Sequence, residues 1–241
     1  MNRIKNILLL ILISFCSIAN AQDFQFGIQT GIGIYNMKDL KGLNDVVFKS
    51  LPFQVKIISN YPSYFYYKPT FLLSFNKFSI GLQASYYSTG SRISSKDYSG
   101  EYLFDTRTNC IAPSVYGDYS LFRLFEKCNV SLYSEGGVTF SQLSLKEDLT
   151  VVNENLTNSS YAFKSRNYYI EPGLKLEYHL SQLMNIGLNA GYFAQFGTND
   201  FVSDKNEVLN NRNETIGPDW SGLRVGLSLS VSLPHKKVTS N

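Results

Sequence analysis

Leu223-Arg224-Val225-Gly226-Leu227-Ser228-Leu229-Ser230-Val231-Ser232-Leu233 decides the fold. Its odd-numbered positions are Leu or Val throughout, and its even-numbered positions are Arg, Gly or Ser. Side chains of an extended chain point alternately to two faces, so this stretch predicts a strand with one apolar and one small, polar face. Helical spacing would scatter the same residues around every side. The pattern recurs. Phe24, Phe26, Ile28, Thr30, Ile32 and Ile34 alternate with Gln25, Gly27, Gln29, Gly31 and Gly33. Phe78, Ile80, Leu82, Ala84 and Tyr86 face away from Ser79, Gly81, Gln83 and Ser85, and Ile186, Leu188, Ala190, Tyr192, Ala194 and Phe196 from Gly187, Asn189, Gly191 and Gln195. Weaker alternation over 65–75, 109–121, 129–142 and 168–180 brings the total to about eight strands.

Alternation alone does not say whether the apolar face points into a core or out to a membrane, since a secreted lipocalin-like barrel alternates too. Here the polar face is Gly, Ser, Gln and Asn rather than the Lys and Glu of a water-exposed exterior. Small residues suit the narrow interior of an eight-stranded barrel, and aromatics gather toward the strand ends. The apolar face is therefore expected to meet lipid. Composition agrees: of 241 residues 44% are hydrophobic and 15% aromatic but only 17% charged, against roughly 25% in an average soluble domain. Disorder is excluded by the aromatic and β-branched content. The net charge of +3 includes Arg3 and Lys5, leaving +1 (3 − 2) once a leader is removed. No clustered basic footprint for nucleic acid remains.

Arg3 and Lys5 precede the apolar run 7–15, and Ala19-Asn20-Ala21 supplies a small-x-small site. This reads as a signal peptide over 1–21, cleaved before Gln22, with the barrel over 22–234 and a short tail over 235–241. An N-terminal anchor is the alternative, but Ser14, Cys16 and Ser17 interrupt a run already short of the ~20 residues of a span. Bulky Phe15 before Cys16 argues against a lipoprotein. No later stretch approaches a transmembrane helix, so an exported chain that enters a membrane does so as a barrel, in the bacterial outer membrane.

The connections sort by length. Those at 76–77, 122–127 and 181–184 are short, while 36–64, 90–100, 146–162 and 198–219 are long and rich in Asn, Ser, Asp and Lys. The expected fold is thus all-β: an eight-stranded antiparallel up-and-down transmembrane β-barrel with short periplasmic turns and longer extracellular loops. Pro69-x-Phe71-x-Leu73-x-Phe75, Pro113-x-Val115-x-Gly117-x-Tyr119 and Pro172-x-Leu174-x-Leu176-x-Tyr178 share one pattern, which predicts bulges or local bends at the prolines. Phe75, Tyr119 and Tyr178 would join an aromatic girdle at the periplasmic interface. Cys110 and Cys128 fall about ten residues, or roughly 33 Å, apart in level, too far for a disulfide, and are expected as free thiols.

On the last strand Arg224, Gly226, Leu229 and Val231 fit polar-x-Gly-x-x-apolar-x-apolar, which resembles the β-signal read by the outer-membrane insertion machinery. The chain runs on from Pro234 to Asn241 instead of stopping at a terminal aromatic. With the leader, the opening Phe24-Gln25-Phe26-Gly27-Ile28 and the three proline strands, the mature chain resembles the OmpA/OmpX-type eight-stranded barrels. It is similar in particular to the outer-membrane β-barrel domain proteins that include PorT-like members. The resemblance implies fold and location, and leaves the activity open, since members serve as scaffolds, adhesins or secretion accessories.

Counted from each strand's short-turn end, Lys68, Glu135, Glu171 and Arg224 share a depth on inward positions. Asp118, Lys175 and Glu177 lie nearer the periplasmic mouth. Three cations and four anions are nearly balanced, and an unpaired ion in so narrow a lumen would be strongly penalised. A plugging salt-bridge network is expected, with a hydrophilic ion path as the alternative. No catalytic constellation stands out. His179 belongs to a periplasmic turn and His235 to the tail, away from the outer mouth. Zinc spacing is lacking, Gly31-x-Gly33 opens no helix, and Asp200 and Asp204 sit in no EF-hand pattern, so neither enzyme activity nor a metal or cofactor is expected. Two function classes remain. One is a structural or surface-interaction protein whose loops 36–64 and 198–219 meet envelope or extracellular partners. The other is a narrow pore or an accessory of envelope transport or secretion. Within 36–64, Met37-Lys38-Asp39-Leu40-Lys41-Gly42-Leu43 reads equally as a lid or docking surface and as a loop packed on the rim.

The leader reading is checked by mass spectrometry of the protein from the membrane fraction. Gln22 is the expected N-terminus, and retention of Met1 through Ala21 would make the segment an anchor.

Overall fold

The computed structural model describes residues 23–152, 154–197, 200–203, 210–211 and 214–233. The expected leader over 1–21 and tail over 235–241 lie outside the described residues. In chain order the elements are β1 (Asp23–Gly33), α1 (Lys38–Ser50), β2 (Lys56–Asn60), β3 (Tyr64–Phe75), β4 (Phe78–Lys96), β5 (Gly100–Phe125), β6 (Cys128–Val151), β7 (Glu154–His179), β8 (Met184–Phe196), β9 (Val202–Ser203), β10 (Asn210–Asn211), β11 (Glu214–Thr215) and β12 (Gly222–Leu233). Each of β3 through β8 pairs antiparallel with its neighbour, omitting none, and β1 closes the ring on β12, with Phe24 opposite Leu233 and Gly33 opposite Arg224. Eight strands form the ring, and β2 and β9 attach to the upper parts of β4 and β7. Closure leaves no free edge in the ring, which is the condition for a sheet to cross hydrocarbon.

The outward face carries an apolar belt on every ring strand. It comprises residues 24–34, 65–75, 78–86, 111–121, 130–140, 168–180, 184–196 and 223–233, each taken at alternate positions. About eleven residues at ~3.3 Å and ~40° tilt rise roughly 28 Å, near the ~25 Å height of a barrel's lipid-facing band. Ile28, Leu82, Leu174 and Leu227 are all exposed at mid-belt, Leu227 by 56%. So large a continuous apolar surface is a membrane surface. Tyr119 and Tyr178 face outward near the short turns, joined by Phe78, Phe122 and Phe125.

Two expected loops are not loops. Residues 90–100 and 146–162 mostly continue β4, β5, β6 and β7, which run far past the belt with unbroken register from Phe78↔Tyr119 to Lys96↔Glu101. At the other end β5 also extends to Phe125, shortening the expected turn over 122–127. The alternation changes phase where the strands leave the membrane. Within the belt Ile111, Val115 and Phe140 point out; beyond it Arg92, Arg107 and Lys146 point out, while Ile93, Tyr102, Phe104, Leu143 and Leu145 are buried on the inner face. Water replaces lipid outside, so the greasy side turns inward. The outermost β4–β5 turn is held by Asp97, whose Oδ1 accepts from the Ser99 N–H (2.8 Å), the Ser99 hydroxyl (2.7 Å) and the Gly100 N–H (3.1 Å). Those donors hold the Asp97 carboxyl below its ordinary range.

The prolines make no bulge. Register continues past Pro69, Pro113 and Pro172, and the ladder merely skips two residues toward the next strand in each case, at 68–69, 112–113 and 171–172. A missing N–H removes hydrogen bonds on one side without inserting a residue. Register shifts occur elsewhere, between Ser120 and Phe122, and between Arg123 and Phe125. Cys110 and Cys128 are free and buried, Cys110 lying opposite Ser141 on β6, well up that strand from Cys128.

Residues 36–64 do not form a simple loop. Leu40, Leu43, Asn44 and Val47 repeat at helical spacing and put one stripe of α1 toward the barrel mouth, with Asp39 in the first turn and Lys49 in the last, as the helix dipole prefers. Met37 adopts φ 47° just before the helix. Its N–H donates to the Asp219 carbonyl (3.1 Å) and its carbonyl accepts from the Lys41 N–H (3.0 Å). Asn44 Nδ2 donates to Asn60 Oδ1 (2.8 Å) and Ser91 Oγ (2.6 Å), tying the helix to β2 and β4. Met37 and Leu40 are fully buried, so the segment packs onto the rim.

Replacing Leu227 with Arg is expected to cost about 2–4 kcal/mol of folding stability in lipid vesicles, whereas Leu103→Arg, beyond the belt, is expected to cost less than about 1 kcal/mol. Urea unfolding of the reconstituted variants measures both.

Candidate functional site

The alternation that turns apolar side chains outward turns charge inward. Glu135 and Glu171 are direct cross-strand partners on β6 and β7, both inside the ring and both essentially inaccessible. Two carboxylates so placed repel each other, and each needs a cation. Lys68, on β3, supplies one for both: its Nζ lies 2.8 Å from Glu135 Oε2 and 3.6 Å from Glu171 Oε1. Arg224, on β12, supplies the second, with Nη1 3.2 Å from Glu171 Oε2. The remaining carboxylate oxygens are used as well. The Tyr169 hydroxyl donates to Glu135 Oε1 (3.1 Å), and the Tyr133 hydroxyl donates to Glu171 Oε1 (3.1 Å). Two cations against two anions leave this layer formally neutral.

Small inward residues make room for it. A Cβ on Gly226 would collide with the Tyr66 hydroxyl, and one on Gly191 with that of Tyr133. Tyr66 in turn accepts from Gln29 Nε2 at 2.7 Å. Arg224 is held less by hydrogen bonds than by rings. Its Nε and Nη2 have no acceptor at hydrogen-bond geometry among the described residues, but its guanidinium carbon stands 3.9 Å from the Phe193 ring centroid, 4.5 Å from Tyr87, 5.5 Å from Tyr66 and 5.9 Å from Tyr35. Cation–π attraction is strongest where water is excluded, as here.

A second polar layer sits toward the periplasmic mouth. Lys175 Nζ meets Glu177 Oε2 at 2.5 Å, and Asp118 lies beside Lys175 and the hydroxyls of Tyr116 and Ser79. Tyr116 stacks on Tyr133 at 5.7 Å, separating the two charged layers. Beside Lys175, its cross-strand partner Asn189 donates from Nδ2 to Ser228 Oγ (3.0 Å), and nearer the strand ends Gln25 Nε2 donates to Ser230 Oγ (2.5 Å).

Above the central layer the interior is rich in aromatic side chains. Trp220 is fully buried, with Nε1 donating to Ser141 Oγ (2.9 Å), and packs edge-on against Tyr35 (4.9 Å) and Tyr87 (4.6 Å). Tyr169 stacks on Phe193 at 4.2 Å. Met37 just before α1 and Leu40 within it, with Phe201, Ile216 and Trp220 from the last extracellular connection, join Tyr61, Ile93, Phe104 and Leu143 in one buried cluster across the mouth.

All six residues expected in a lumen network are inward and buried. Lys68, Glu135, Glu171 and Arg224 meet directly, while Asp118 and Lys175 form a separate layer with Glu177. On β12, Arg224 and Gly226 face the lumen and Leu229 and Val231 face out. The sequence reading omitted the aromatic upper half. Its signal was present: Tyr35, Tyr87 and Phe193 each continue the inward face of a strand whose lower positions are Gly, Ser, Gln or Asn. His179 lies at a periplasmic strand end, its Nδ1 2.7 Å from Asn185 Oδ1. Asp204 and His235 lie outside the described residues. Among the described residues no cluster of His, Cys, Asp and Glu could hold a metal ion.

No protein-family model matches the chain, and no curated protein does either. Solved structures do, as likenesses of fold. A major outer membrane protein from Thermus thermophilus is 13% identical with a TM-score of 0.49, covering 87% of this chain and 99% of its own. The outer membrane protein OprG from Pseudomonas aeruginosa is 11% identical with a TM-score of 0.44, covering 89% of this chain and 96% of its own. Neisserial surface protein A is 8% identical with a TM-score of 0.38, covering 88% and 97%. A closed ring of eight strands with a continuous lipid-facing belt is an integral β-barrel of the bacterial outer membrane.

Lys68→Met and Glu135→Gln are each expected to cost about 3–5 kcal/mol, because each strands a buried partner. The double variant is expected to cost clearly less than their sum. A double-mutant cycle on urea midpoints in vesicles measures the coupling, and additive single effects would dissolve the pair.

Proposed function

We propose that the protein is a closed outer-membrane anchor that displays an extracellular sheet to envelope or extracellular protein partners. One observation carries this reading: the ring is filled along its length. Ion pairs occupy its middle, and the Trp220 cluster with α1 occupies its outer mouth. A channel needs a continuous polar passage, and eight strands leave little room for one. The charged layers serve as a structural plug, with Lys68, Glu135, Glu171 and Arg224 holding opposite walls together and Asp118 and Lys175 closing the periplasmic side.

The displayed part is the continuation of β4 to β7. Residues 100–109 of β5 alone add roughly 30 Å of strand beyond the belt. Met37, Leu40 and Tyr61 from segment 36–64 and Phe201 and Ile216 from the last extracellular connection supply the mouth packing, and the first segment also supplies surface. Phe48, Phe53 and Ile58 are exposed beside a groove of about 1150 Å³ that is also lined by Val55, Tyr102 and Leu149. Exposed apolar side chains on a water-facing surface mark a contact site. Arg224, Gly226, Leu229 and Val231 are proposed to serve a second time, as the pattern the insertion machinery reads on the closing strand. The narrower affinity with PorT-like members rests on the sequence resemblance.

Purified protein in a planar bilayer is expected to show no steady opening, and reproducible unit conductance would overturn the closed anchor in favour of a pore. Phe53→Asp with Ile58→Asp is expected to abolish co-purification of an envelope partner while leaving heat-modifiable gel mobility intact.

A further inference from the structure

The outward-facing charges are sorted by height. The belt ends at Tyr86 on β4, Ile111 on β5, Phe140 on β6 and Tyr168 on β7. Above it, the next outward positions are Ser88, Gly90 and Arg92 on β4, Asn109, Arg107 and Asp105 on β5, Gln142, Ser144 and Lys146 on β6, and Arg166, Lys164 and Ala162 on β7. Those three steps bring five cations and one acid. The acid, Asp105, is already engaged by Arg92, at 2.6 Å to Nε and 2.7 Å to Nη2. The next acids outward, Asp148 and Glu101, come only higher on the sheet. A face laid out for solubility would mix the signs.

We propose that Arg107, Lys146 and Arg166, on one outward face of β5 to β7, form a binding band for the phosphate groups of outer-leaflet lipid headgroups. One, two and three steps along a strand rise about 5, 10 and 15 Å at ~3.3 Å per residue and ~40° tilt, which places Arg166 within the headgroup layer, roughly 5–8 Å deep, that borders the hydrocarbon, and Arg107 and Lys146 just above it on long, flexible side chains. Arg107, Lys146 and Arg166 make no ion pair within 4.0 Å among the described residues, although Asp105, held by Arg92, lies directly opposite Lys146. Arg166 lies over the Phe140 ring at 5.6 Å, so the girdle holds the guanidinium at the belt's edge. Arg107 leans on Asn109, its Nε 3.3 Å from Oδ1. A guanidinium fork matches two oxygens of a phosphate, a lysine adds an adaptable point charge, and the amides of Asn109 and Gln142 between them are further donors.

The inference depends on the membrane placement and is independent of the protein partner proposed above. The test uses the full processed chain in zwitterionic detergent. It is titrated with a bis-phosphorylated acylated disaccharide lipid, with the same lipid dephosphorylated, and with inorganic phosphate, and complexes are read by native mass spectrometry. The phosphorylated lipid is expected to bind, and Arg107→Gln/Lys146→Gln/Arg166→Gln to weaken it on the order of 100-fold at low salt, about fivefold per charge. Arg107→Lys/Arg166→Lys is expected to retain part of the binding. All of these side chains are exposed, and heat-modifiable mobility confirms that each variant is a closed barrel. Undiminished binding by the triple variant would overturn the proposal, as would equal binding of the dephosphorylated lipid. Displacement by millimolar inorganic phosphate would replace the lipid headgroup with a free anion as the ligand.

Discussion

Hydrocarbon offers no hydrogen-bond partner, so every backbone N–H and C=O inside it has to be satisfied by the chain itself. The pairing of β1 with β12 meets that demand, and the rest of the molecule follows from it. A closed ring of strands gives each residue only two directions, toward lipid or toward the lumen. Apolar side chains take the first. Eight strands make the second direction so narrow that whatever points inward has to fit and pair with what comes from the opposite wall. Lys68 reaching from β3 to the two carboxylates of β6 and β7 is that requirement met at one level; Tyr66 lying over Gly226 is the same requirement met by shape.

The interior is therefore stratified rather than uniformly polar. Near the periplasm amides and hydroxyls pair across strands, in the middle the charges neutralise one another, and toward the outside rings and aliphatic chains exclude water. Arg224 stands at the junction of the last two layers. One edge of its guanidinium serves Glu171, and its faces lie against Phe193 and Tyr87. Buried ion pairs contribute little net stability compared with apolar packing of the same volume, so what they add here is register and closure. A barrel assembled one residue out of step would turn Glu135 and Glu171 toward lipid.

Much of this was legible in the sequence, because one periodicity reports both the strands and their orientation. Counting from the short turns was enough to place Lys68, Glu135, Glu171 and Arg224 together. What escaped did so for physical reasons. Segments 90–100 and 146–162 read as loops because their outward residues become Ser, Asn, Asp, Lys and Arg once water replaces lipid. The apolar alternation continues there in the opposite phase, through Ile93 in the first and Leu149 in the second. The helix over 38–50 shows a period of three to four, lost to a search for two. Pro69, Pro113 and Pro172 suggested inserted residues, but a proline needs only a neighbour that does without its N–H, and the ladder tolerates the gap.

The four long strands have a mechanical consequence. β4 to β7 run without interruption from the periplasmic turns to the extracellular tip, and their hydrogen bonds lie across the strand direction. Traction at the tip therefore loads many bonds together in shear, instead of peeling them one at a time as it would on a flexible tether. Any load taken up at the tip would pass straight into the barrel wall.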